Sequence, residues 1–513
     1  MQGLAGKELV VQREVPDTVM TDVNLAVACL SDNGCMKDAF EDGMRGDSPE
    51  EACGVFGVYA PGEEVGRVTY FGLYALQHRG QESAGIAVTS GDGIMVIKDM
   101  GLVSQVFNEN SFSSLRGDYA IGHVRYSTTG STHWENAQPF YEVTPRGPVA
   151  LAHNGNLVNT EKLREWVAGL GFRFISTTDT EVIASLLSRC DAPTTADAIA
   201  EMFPLMRGAY SVIILTEEGL FGVRDPYGIR PLCIGRKSGE WYLASETAAL
   251  DVVGADFVRE VEPGEIVHID AGGLHPRRFA EARPSLCIFE FIYFARPDSL
   301  LYDRVLYDAR KEMGMHLAEE APVEADIVIP IPDSGVPAAI GFAERSGIPF
   351  GEGLIKNRYI GRTFIQPSQS IRQLGVRLKL NPLTPAISGK RLVVVDDSIV
   401  RGTTSQKIVE ILKQAGAAEV HMRITAPPIS CPCYYGIDTA NRDELIASRM
   451  SVEEIRAFLG ADSLYYLGME NLVKSCGSPK HRFCTACFDG EYPIEVTDEQ
   501  GMSKFRLEER SPA

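Results

Sequence analysis

Short apolar runs separated by glycine-bearing turns fill the sequence from residue 53 to about residue 275. Runs of this length and composition predict strands. The predicted strands are Cys53–Tyr59, Gly85–Val88, Ile94–Ile97, Tyr119–His123, Tyr210–Leu215, Leu220–Val223 and Trp241–Ala244. Helical periodicity interrupts them at Val65–Leu76 and at Thr180–Leu187. The pattern therefore predicts a sheet-rich α+β domain with a few helices, which we delimit as residues 53–280.

The pattern changes from residue 281, where helical stretches alternate with fully apolar runs. The predicted helices are Tyr307–Glu319, Val336–Ala343 and Thr404–Ala415, and the predicted strands are 326–331 and 392–395. Apolar strands separated by helices are typical of a parallel, doubly wound α/β sheet. We therefore predict a second domain over residues 281–495 and a short tail over residues 496–513.

Composition narrows the class of protein. The chain has 513 residues, of which 44% are hydrophobic and 23% charged, as in soluble globular proteins. Its net charge of -20 argues against nucleic acid as a partner, because phosphate backbones require a basic surface. The sequence has no apolar run near the ~20 residues that span a bilayer, so we expect no membrane association. The first residues mix both charges, which fits neither a secretory nor a transit peptide. We expect a cytoplasmic protein.

Cys53 opens the first predicted strand, where a lone cysteine is usually a small buried apolar residue. Four further segments change that interpretation. They are residues 76–85 (LQHRGQESAG), 122–130 (GHVRYSTTG), 152–157 (AHNGNL) and 177–181 (TTDTE). Each alone fits a turn, and Asn-Gly in particular favours a tight turn. Together they closely resemble the glutaminase domain of the N-terminal-nucleophile amidotransferases, whose fold is a four-layer αββα sandwich.

The resemblance implies a role for each matching residue. Cys53 would be residue one of the mature chain, with its own α-amine as the base that activates the thiol. The Asn154 side chain and the Gly155 N–H would stabilise the oxyanion. Arg125 would bind the α-carboxylate of glutamine, and Asp179 its α-ammonium. The simpler alternatives are a surface salt bridge for Arg125 and a helix N-cap for Asp179.

The same resemblance explains residues 1–52, which are acidic and lack periodicity. They would be a propeptide that is removed between Ala52 and Cys53. A disordered tail and a wrongly chosen start codon are the alternatives.

A second motif covers residues 392–404, LVVVDDSIVRGTT. An apolar strand leads into two carboxylates, a Gly/Thr-rich turn and a helix. Carboxylates suit ribose hydroxyls or Mg²⁺, and amides at a helix N-terminus suit a phosphate. Asp pairs at strand ends can also be mere turn and capping residues.

The full string resembles the phosphoribosyl pyrophosphate signature of type I phosphoribosyltransferases. The resemblance implies that Asp396 and Asp397 bind the ribose hydroxyls and Mg²⁺, and that Ser334 is a further metal contact. Residues implied to bind the phosphates are Ser398, Arg401, Gly402, Thr403, Thr404 and Lys379. Lys379 belongs to a basic segment, residues 356–379, that would close over the pyrophosphate. A solvated basic loop is the alternative.

Five of the eleven cysteines lie in the last fifth of the chain. One branch of the amidotransferases places cysteines at three matching locations to bind a [4Fe–4S] cluster. The implied ligands are Cys287, Cys433, Cys484 and Cys487. Structural zinc is the main alternative, because it shares the geometry of four thiolates. Replacement of one of these ligands by Cys431 or Cys476 is a further alternative, although we expect both to be spare.

The two motif sets together imply one activity. Ammonia released from glutamine would be transferred to C1 of phosphoribosyl pyrophosphate, as in the first committed step of purine synthesis. Purine nucleotides would be feedback inhibitors, and we expect a homo-oligomer. Other acceptor domains, a sugar-phosphate isomerase or an adenylating synthetase, are disfavoured by the second motif. A non-catalytic nucleotide sensor and an enzyme kept inactive by its propeptide remain alternatives.

Overall fold

The computed structural model describes residues 53–91, 93–126, 133–357, 380–439 and 441–496, which all belong to one compact unit. The proposed propeptide, Lys379 and the last seventeen residues lie outside this part. Within it, no helix is both long enough and apolar enough to cross a membrane.

The first half contains two antiparallel sheets. In chain order, the strands are β1 Gly54–Tyr59, β2 Ser83–Thr89, β3 Ile94–Met100, β4 Tyr119–Arg125, β5 Phe140–Thr144, β6 Gly147–Leu157, β7 Gly208–Thr216, β8 Gly219–Arg224, β9 Cys233–Lys237, β10 Glu240–Ala244, β11 Asp256–Glu260, β12 Glu265–Asp270 and β13 Gly273–Arg278. One sheet has the order β11-β9-β10-β1-β4-β2-β3 and the other β13-β12-β8-β7-β6-β5. Alternate apolar residues of both sheets, such as Val55, Ile121, Ala152 and Ile213, form one buried cluster. The two sheets therefore pack face to face.

Helices cover both outer faces. They are α1 Val65–Ala75, α2 Val103–Val106, α3 Glu109–Ser114, α4 Thr160–Gly169, α5 Asp179–Ser188, α6 Thr195–Met202 and α7 Thr247–Val253. Leu73 of α1 and Leu250 of α7 pack on the face of the first sheet that carries Phe56. Helices α4, α5 and α6 pack on the outer face of the second sheet, around Leu151 and Val212. The predicted four-layer αββα fold is confirmed.

The second half is built on a parallel sheet. The strands of this half are β14 Leu286–Cys287, β15 Leu300–Leu301, β16 Arg304–Val305, β17 Ile327–Pro330, β18 Leu354–Lys356, β19 Leu380–Pro382, β20 Arg391–Asp396, β21 Glu419–Ile424, β22 Ser463–Tyr466 and β23 Phe483–Cys484. Its helices are α8 Leu306–Glu320, α9 Val336–Ser346, α10 Thr384–Ile387, α11 Thr403–Gln414, α12 Val452–Leu459, α13 Met469–Ser475 and α14 Ala486–Asp489.

The parallel sheet is formed by four of these strands in the order β17-β20-β21-β22, and the others pair in twos. Side chains of β20 alternate between two cores. Val393 and Val395 face α8 and α9, whereas Leu392 and Val394 face α11 and α12. Helices on both faces define a doubly wound sheet, so the predicted α/β class is confirmed.

Candidate active site

Cys53 lies at the edge of the space between the two sheets. The β1–β4 register pairs Gly54 with Val124 and Val55 with His123, which places Cys53 beside Arg125. The thiol is buried, and Sγ donates to the carbonyl oxygen of Tyr126 at 3.2 Å. Burial raises the pKa of the Cys53 thiol to about 12, although the nearby Arg125 guanidinium lowers it. A thiol in this environment is protonated at neutral pH and needs a base before it can attack.

Asn154 and Gly155 lie inside β6, so the alternative interpretation of Asn-Gly as a tight turn is wrong. The strand continues because Asn154 pairs with Ser211 and Gly155 with Tyr210 of β7. The Asn154 side chain is fully buried, yet neither Oδ1 nor Nδ2 has a hydrogen-bond partner among the described residues. A buried amide without partners is uncommon, and a ligand or an ordered water can supply the missing hydrogen bonds.

Gly155 has to be glycine. Its φ is +147°, and an added Cβ would lie 2.0 Å from the carbonyl oxygen of Ala209. The neighbouring β7 backbone therefore leaves room for a hydrogen atom only.

Arg125 and Asp179 lie at the same site, since both change the pKa of the Cys53 thiol through their charges. Arg125 is buried at the end of β4, and its Nη1 is 3.7 Å from Oε2 of Glu82. Asp179 accepts a hydrogen bond from the Leu157 N–H at 3.1 Å. Asp179 is the first residue of α5 and Thr178 is the N-cap, so the N-cap alternative for Asp179 is wrong.

Sequence reasoning missed two residues of this site. Glu82 faces Arg125, and His153 places Nδ1 3.5 Å from Oδ1 of Asp179. His153 also joins the sheets, because its carbonyl is 3.0 Å from Nε2 of His123. These contacts arise from pairings between distant strands. Both residues belong to the motifs quoted above, and that was the feature of the sequence from which their place at the site could have been predicted.

The second predicted site lies at the carboxyl end of β20. Asp396 ends the strand, and its Oδ1 accepts a hydrogen bond from the Asp397 N–H at 2.9 Å. Asp397 is buried, and burial raises the pKa of its carboxyl group, although hydrogen bonds from Ser334 and Ser398 act in the opposite direction. Among the described residues, Oδ2 of Asp397 has no hydrogen-bond partner. Ser334, predicted from a distant segment, is therefore a neighbour of Asp397.

Helix α11 begins where the phosphate was predicted to bind. Gly402 is its N-cap with a φ of +81°, and Thr403 and Thr404 open its first turn. An added Cβ at Gly402 would lie 2.7 Å from Cδ1 of Ile446. The Arg401 guanidinium forms an ion pair with Glu444, so its side chain is engaged within the protein. The backbone amides of this turn are the donors expected at a phosphate site.

The four cysteines assigned to a cluster come together from three parts of the chain. Strand β14 pairs with β23 in a register that places Cys287 opposite Cys484. Cys287, Cys433 and Cys484 each raise the pKa of the Cys487 thiol, although burial is the largest cause. Cys476 is buried elsewhere, near Arg304 and Glu312.

Within the described ranges, no group of three or more His, Cys, Asp or Glu side chains is arranged so as to hold a metal ion. The chemistry of the donors nevertheless fits a cluster, because four thiols in apolar surroundings are the ligand set of a [4Fe–4S] centre.

The two halves meet through buried ion pairs. Arg79 pairs with Glu246 of the first half and with Glu290 of the second half. Arg230 places Nη1 3.4 Å from Oε1 of Glu290. All four side chains are fully buried. The pKa of Glu246 is held well below its usual range by Arg79 and His78, against the opposing effect of burial.

Comparisons with known proteins agree with this architecture. The glutamine amidotransferase domain family matches residues 123–252, and the phosphoribosyl transferase domain family matches residues 303–431. The amidophosphoribosyltransferase of a Synechocystis strain is 56% identical over 473 residues, which cover 91% of this chain and 96% of that protein. The amidophosphoribosyltransferase of Methanothermobacter thermautotrophicus is 49% identical and covers 89% of this chain and 98% of its own.

A solved structure supports the same family assignment. The glutamine phosphoribosylpyrophosphate amidotransferase of B. subtilis, complexed with ADP and GMP, has a TM-score of 0.84 and 48% identity, and covers 89% of this chain and 100% of its own. The chain therefore belongs to the amidophosphoribosyltransferases, transferases of purine biosynthesis that combine a glutamine amidotransferase domain with a phosphoribosyltransferase domain.

Proposed function

We propose that Cys53 is the nucleophile that hydrolyses glutamine. The observation that carries the proposal is the buried thiol beside Arg125 and Asp179. Asp179 in turn accepts a hydrogen bond from Leu157 of β6, the strand that carries the Asn154 amide without partners among the described residues. The thiolate attacks the amide carbon of glutamine, and the resulting oxyanion accepts hydrogen bonds from Asn154 Nδ2 and the Gly155 N–H. The carbon–nitrogen bond then breaks, ammonia takes the proton that the thiol lost, and water hydrolyses the thioester to glutamate. Arg125 binds the substrate carboxylate, and Asp179 binds its ammonium group.

Removal of residues 1–52 supplies the base. While Ala52 precedes Cys53, the nitrogen of Cys53 is an amide and cannot accept a proton. Cleavage converts it to an α-amine with a pKa near 8, adjacent to a thiol that burial keeps protonated. The division into a propeptide, a domain over 53–280, a domain over 281–495 and a tail stays a prediction.

The second reaction uses the ammonia at C1 of phosphoribosyl pyrophosphate and releases pyrophosphate and 5-phosphoribosylamine. We assign the ribose hydroxyls to Asp396 and Asp397, and the 5-phosphate to the turn from Ser398 to Thr404. The amides before α11 and the positive end of its dipole support the phosphate site. Asp396, Asp397 and Ser334 would hold Mg²⁺, which when bound neutralises charge on the departing pyrophosphate. Lys379, outside the described residues, stays a predicted pyrophosphate ligand.

We assign the four clustered thiols to a [4Fe–4S] centre with a structural role. Their support is the pairing of Cys287 with Cys484, together with the effect of Cys287, Cys433 and Cys484 in raising the pKa of the Cys487 thiol. Structural zinc on the same thiols is the alternative that a metal analysis distinguishes. Purine nucleotides as inhibitors, supported by the ADP and GMP in the B. subtilis structure, a homo-oligomeric state and a cytoplasmic location also stay proposals.

Separating the two half-reactions tests the assignment. Cys53→Ala should abolish glutamine-dependent synthesis, because no other group forms the thioester, and should retain synthesis from free ammonia at high pH. Asp397→Asn should retain some glutaminase activity and lose synthesis from both nitrogen sources. Both activities are measured on protein whose intact mass shows that the chain begins at position 53. Loss of both activities in a well-folded Cys53→Ala protein would contradict two separate sites. Full activity from a chain that keeps residues 1–52 would contradict the α-amine as the base.

A further inference from the structure

The strand that carries Asn154 and Gly155 is held by the other half of the chain. Asn156, the next residue of β6, donates from Nδ2 to the carbonyl oxygen of Tyr434 at 2.9 Å. Tyr434 belongs to the segment 433–436 of the second half, which lies outside the helices and strands. This hydrogen bond therefore links the two halves one residue from the proposed oxyanion donors.

Gly436 packs against the same strand. Its φ is +102°, and an added Cβ would lie 3.2 Å from the carbonyl carbon of Gly155 and 3.0 Å from Nη2 of Arg230. A Cβ contact of 3.0–3.4 Å is tighter than most that occur in proteins. The backbone of the second half thus lies directly against Gly155, with little room for a larger residue.

Arg230 fixes the other side of this contact. Its guanidinium is fully buried and donates from Nε and Nη2 to the carbonyl oxygen of Tyr435, at 3.1 Å and 2.9 Å. Two side chains of the first half, Asn156 and Arg230, therefore hold the consecutive carbonyls of Tyr434 and Tyr435. Buried hydrogen bonds from a charged donor are strong, so the segment 433–436 is firmly attached to the first half.

We propose that Asn156 is a positioning residue for glutamine hydrolysis. Through Tyr434, the segment 433–436 fixes β6 so that Asn154 and Gly155 meet the developing oxyanion. The inference rests on the oxyanion role proposed above. Donors act only when they are aimed at the place where charge develops, and a misplacement of ~1 Å costs about a hundredfold in rate.

Asn156→Ala in the processed, full-length protein tests the proposal. It removes the bond to Tyr434 and keeps both donors. We expect kcat for glutamine hydrolysis to fall about tenfold or more. The KM for glutamine should be unchanged, because Arg125 and Asp179 still bind the substrate. Synthesis from ammonia, and the rate at which iodoacetamide alkylates Cys53, should match the wild type.

Two further variants make the result specific. Gly436→Ala, which adds a methyl group against Gly155, should show the same loss in kcat at constant KM. Asn159→Ala breaks a bond of the same type and length, from Nδ2 to the Leu205 carbonyl at 2.9 Å, and also one that Oδ1 accepts from the Arg207 N–H, both within the first half. It should keep the wild-type kcat.

Asn154→Ala separates failure of this inference from failure of the proposed function. Normal glutamine hydrolysis in that variant would overturn the oxyanion assignment itself. A slow Asn154→Ala enzyme together with a wild-type kcat in Asn156→Ala would overturn only the positioning role. Equal losses of glutamine- and ammonia-dependent activity in Asn156→Ala would also overturn it, since they would show general structural damage.

Discussion

Single residues at the first site carry an energetic cost that substrate binding can offset. The Asn154 amide is buried without partners among the described residues, and burying an unpaired amide costs ~1–3 kcal/mol. The Cys53 thiol is also buried, and its burial disfavours the charged thiolate. An arrangement that is unfavourable in the free protein, and becomes favourable when an oxyanion forms, stabilises the transition state more than the substrate.

Lys98 offers a pH test of burial near this site. Its Nζ donates to the Ala137 carbonyl and lies 5.0 Å from the centre of the Trp134 ring. Burial lowers the pKa of Lys98 to about 8, below the usual 10.5. A lowered lysine pKa means that folding disfavours the charged form. Above pH 10.5, Lys98 is neutral in both the folded and the unfolded chain, and its burial costs no stability through this effect. As the pH falls from 10.5 to 8, the unfolded chain binds a proton that the folded protein does not, so the wild type loses stability.

Lys98→Met should accordingly become more stable relative to the wild type as the pH falls from about 10.5 to 8. The change should be on the order of 2 kcal/mol after an allowance for partial exposure, and constant below pH 8. Urea unfolding across this pH range measures it. Lys237→Met is the control, because exposed Lys237 makes a similar bond to the Val253 carbonyl at 3.4 Å. A pH-independent difference between Lys98→Met and the wild type would contradict the prediction.

At the scale of elements, apolar periodicity predicted much of the fold. The helix predicted at Val65–Leu76 is observed at Val65–Ala75, and that predicted at Thr404–Ala415 is observed at Thr403–Gln414. Strand β6 was missed, because Asn154 and Gly155 have turn preferences that pairing with β7 overrides. Contacts such as Asn156 to Tyr434 join residues 278 positions apart, and no local pattern encodes them.

The β6–β7 contact gives a prediction for glycine. Gly155→Ala should abolish glutamine-dependent activity, because the new Cβ would overlap the Ala209 carbonyl and displace β6. Gly171→Ala is the matched control. Gly171 also has a positive φ, +86°, but no described atom lies within 4 Å of an added Cβ. It should cost ~1 kcal/mol of stability and leave both activities intact. Glutamine-dependent synthesis by Gly155→Ala at the wild-type rate would show that the strand tolerates the shift.

At the scale of the whole molecule, the Glu290 carboxylate contacts two buried guanidinium groups at the junction of the halves, and one of them, Arg79, also pairs with Glu246. Glu290 contacts Arg79 and Arg230, and none of the three side chains is exposed. Glu290→Gln leaves Arg79 paired with Glu246 but removes the carboxylate that contacts the buried Arg230, so it should cost about 3–5 kcal/mol of stability. Glu453→Gln, at an exposed pair with Arg456, should leave the stability almost unchanged, because solvent screens exposed pairs. Thermal unfolding compares them, and similar losses in both variants would contradict a special role for the buried network.

The cysteine cluster would act on the same scale, since it joins distant parts of the chain. Cys287 follows the first domain, Cys433 begins the segment that contacts β6, and Cys484 and Cys487 lie near the end of the described residues. A [4Fe–4S] centre on these thiols would attach all three regions to one point. Anaerobically purified protein should then be brown and contain about four irons and four sulfides per chain. Activity should decline in step with the bleaching of the centre by oxygen.

Serine variants distinguish the ligands from other buried cysteines. If the thiols hold a cluster, Cys484→Ser should yield protein that is poorly folded or unprocessed, because the β14–β23 pairing would lose that attachment. Cys476→Ser is the control: Cys476 is equally buried, but it lies beside Arg304 and Glu312 and away from the four thiols. That variant should keep its iron, its processing and its activity. A colourless, fully active wild-type preparation with stoichiometric zinc would instead assign the same four thiols to zinc, because tetrahedral zinc satisfies them without iron or sulfide.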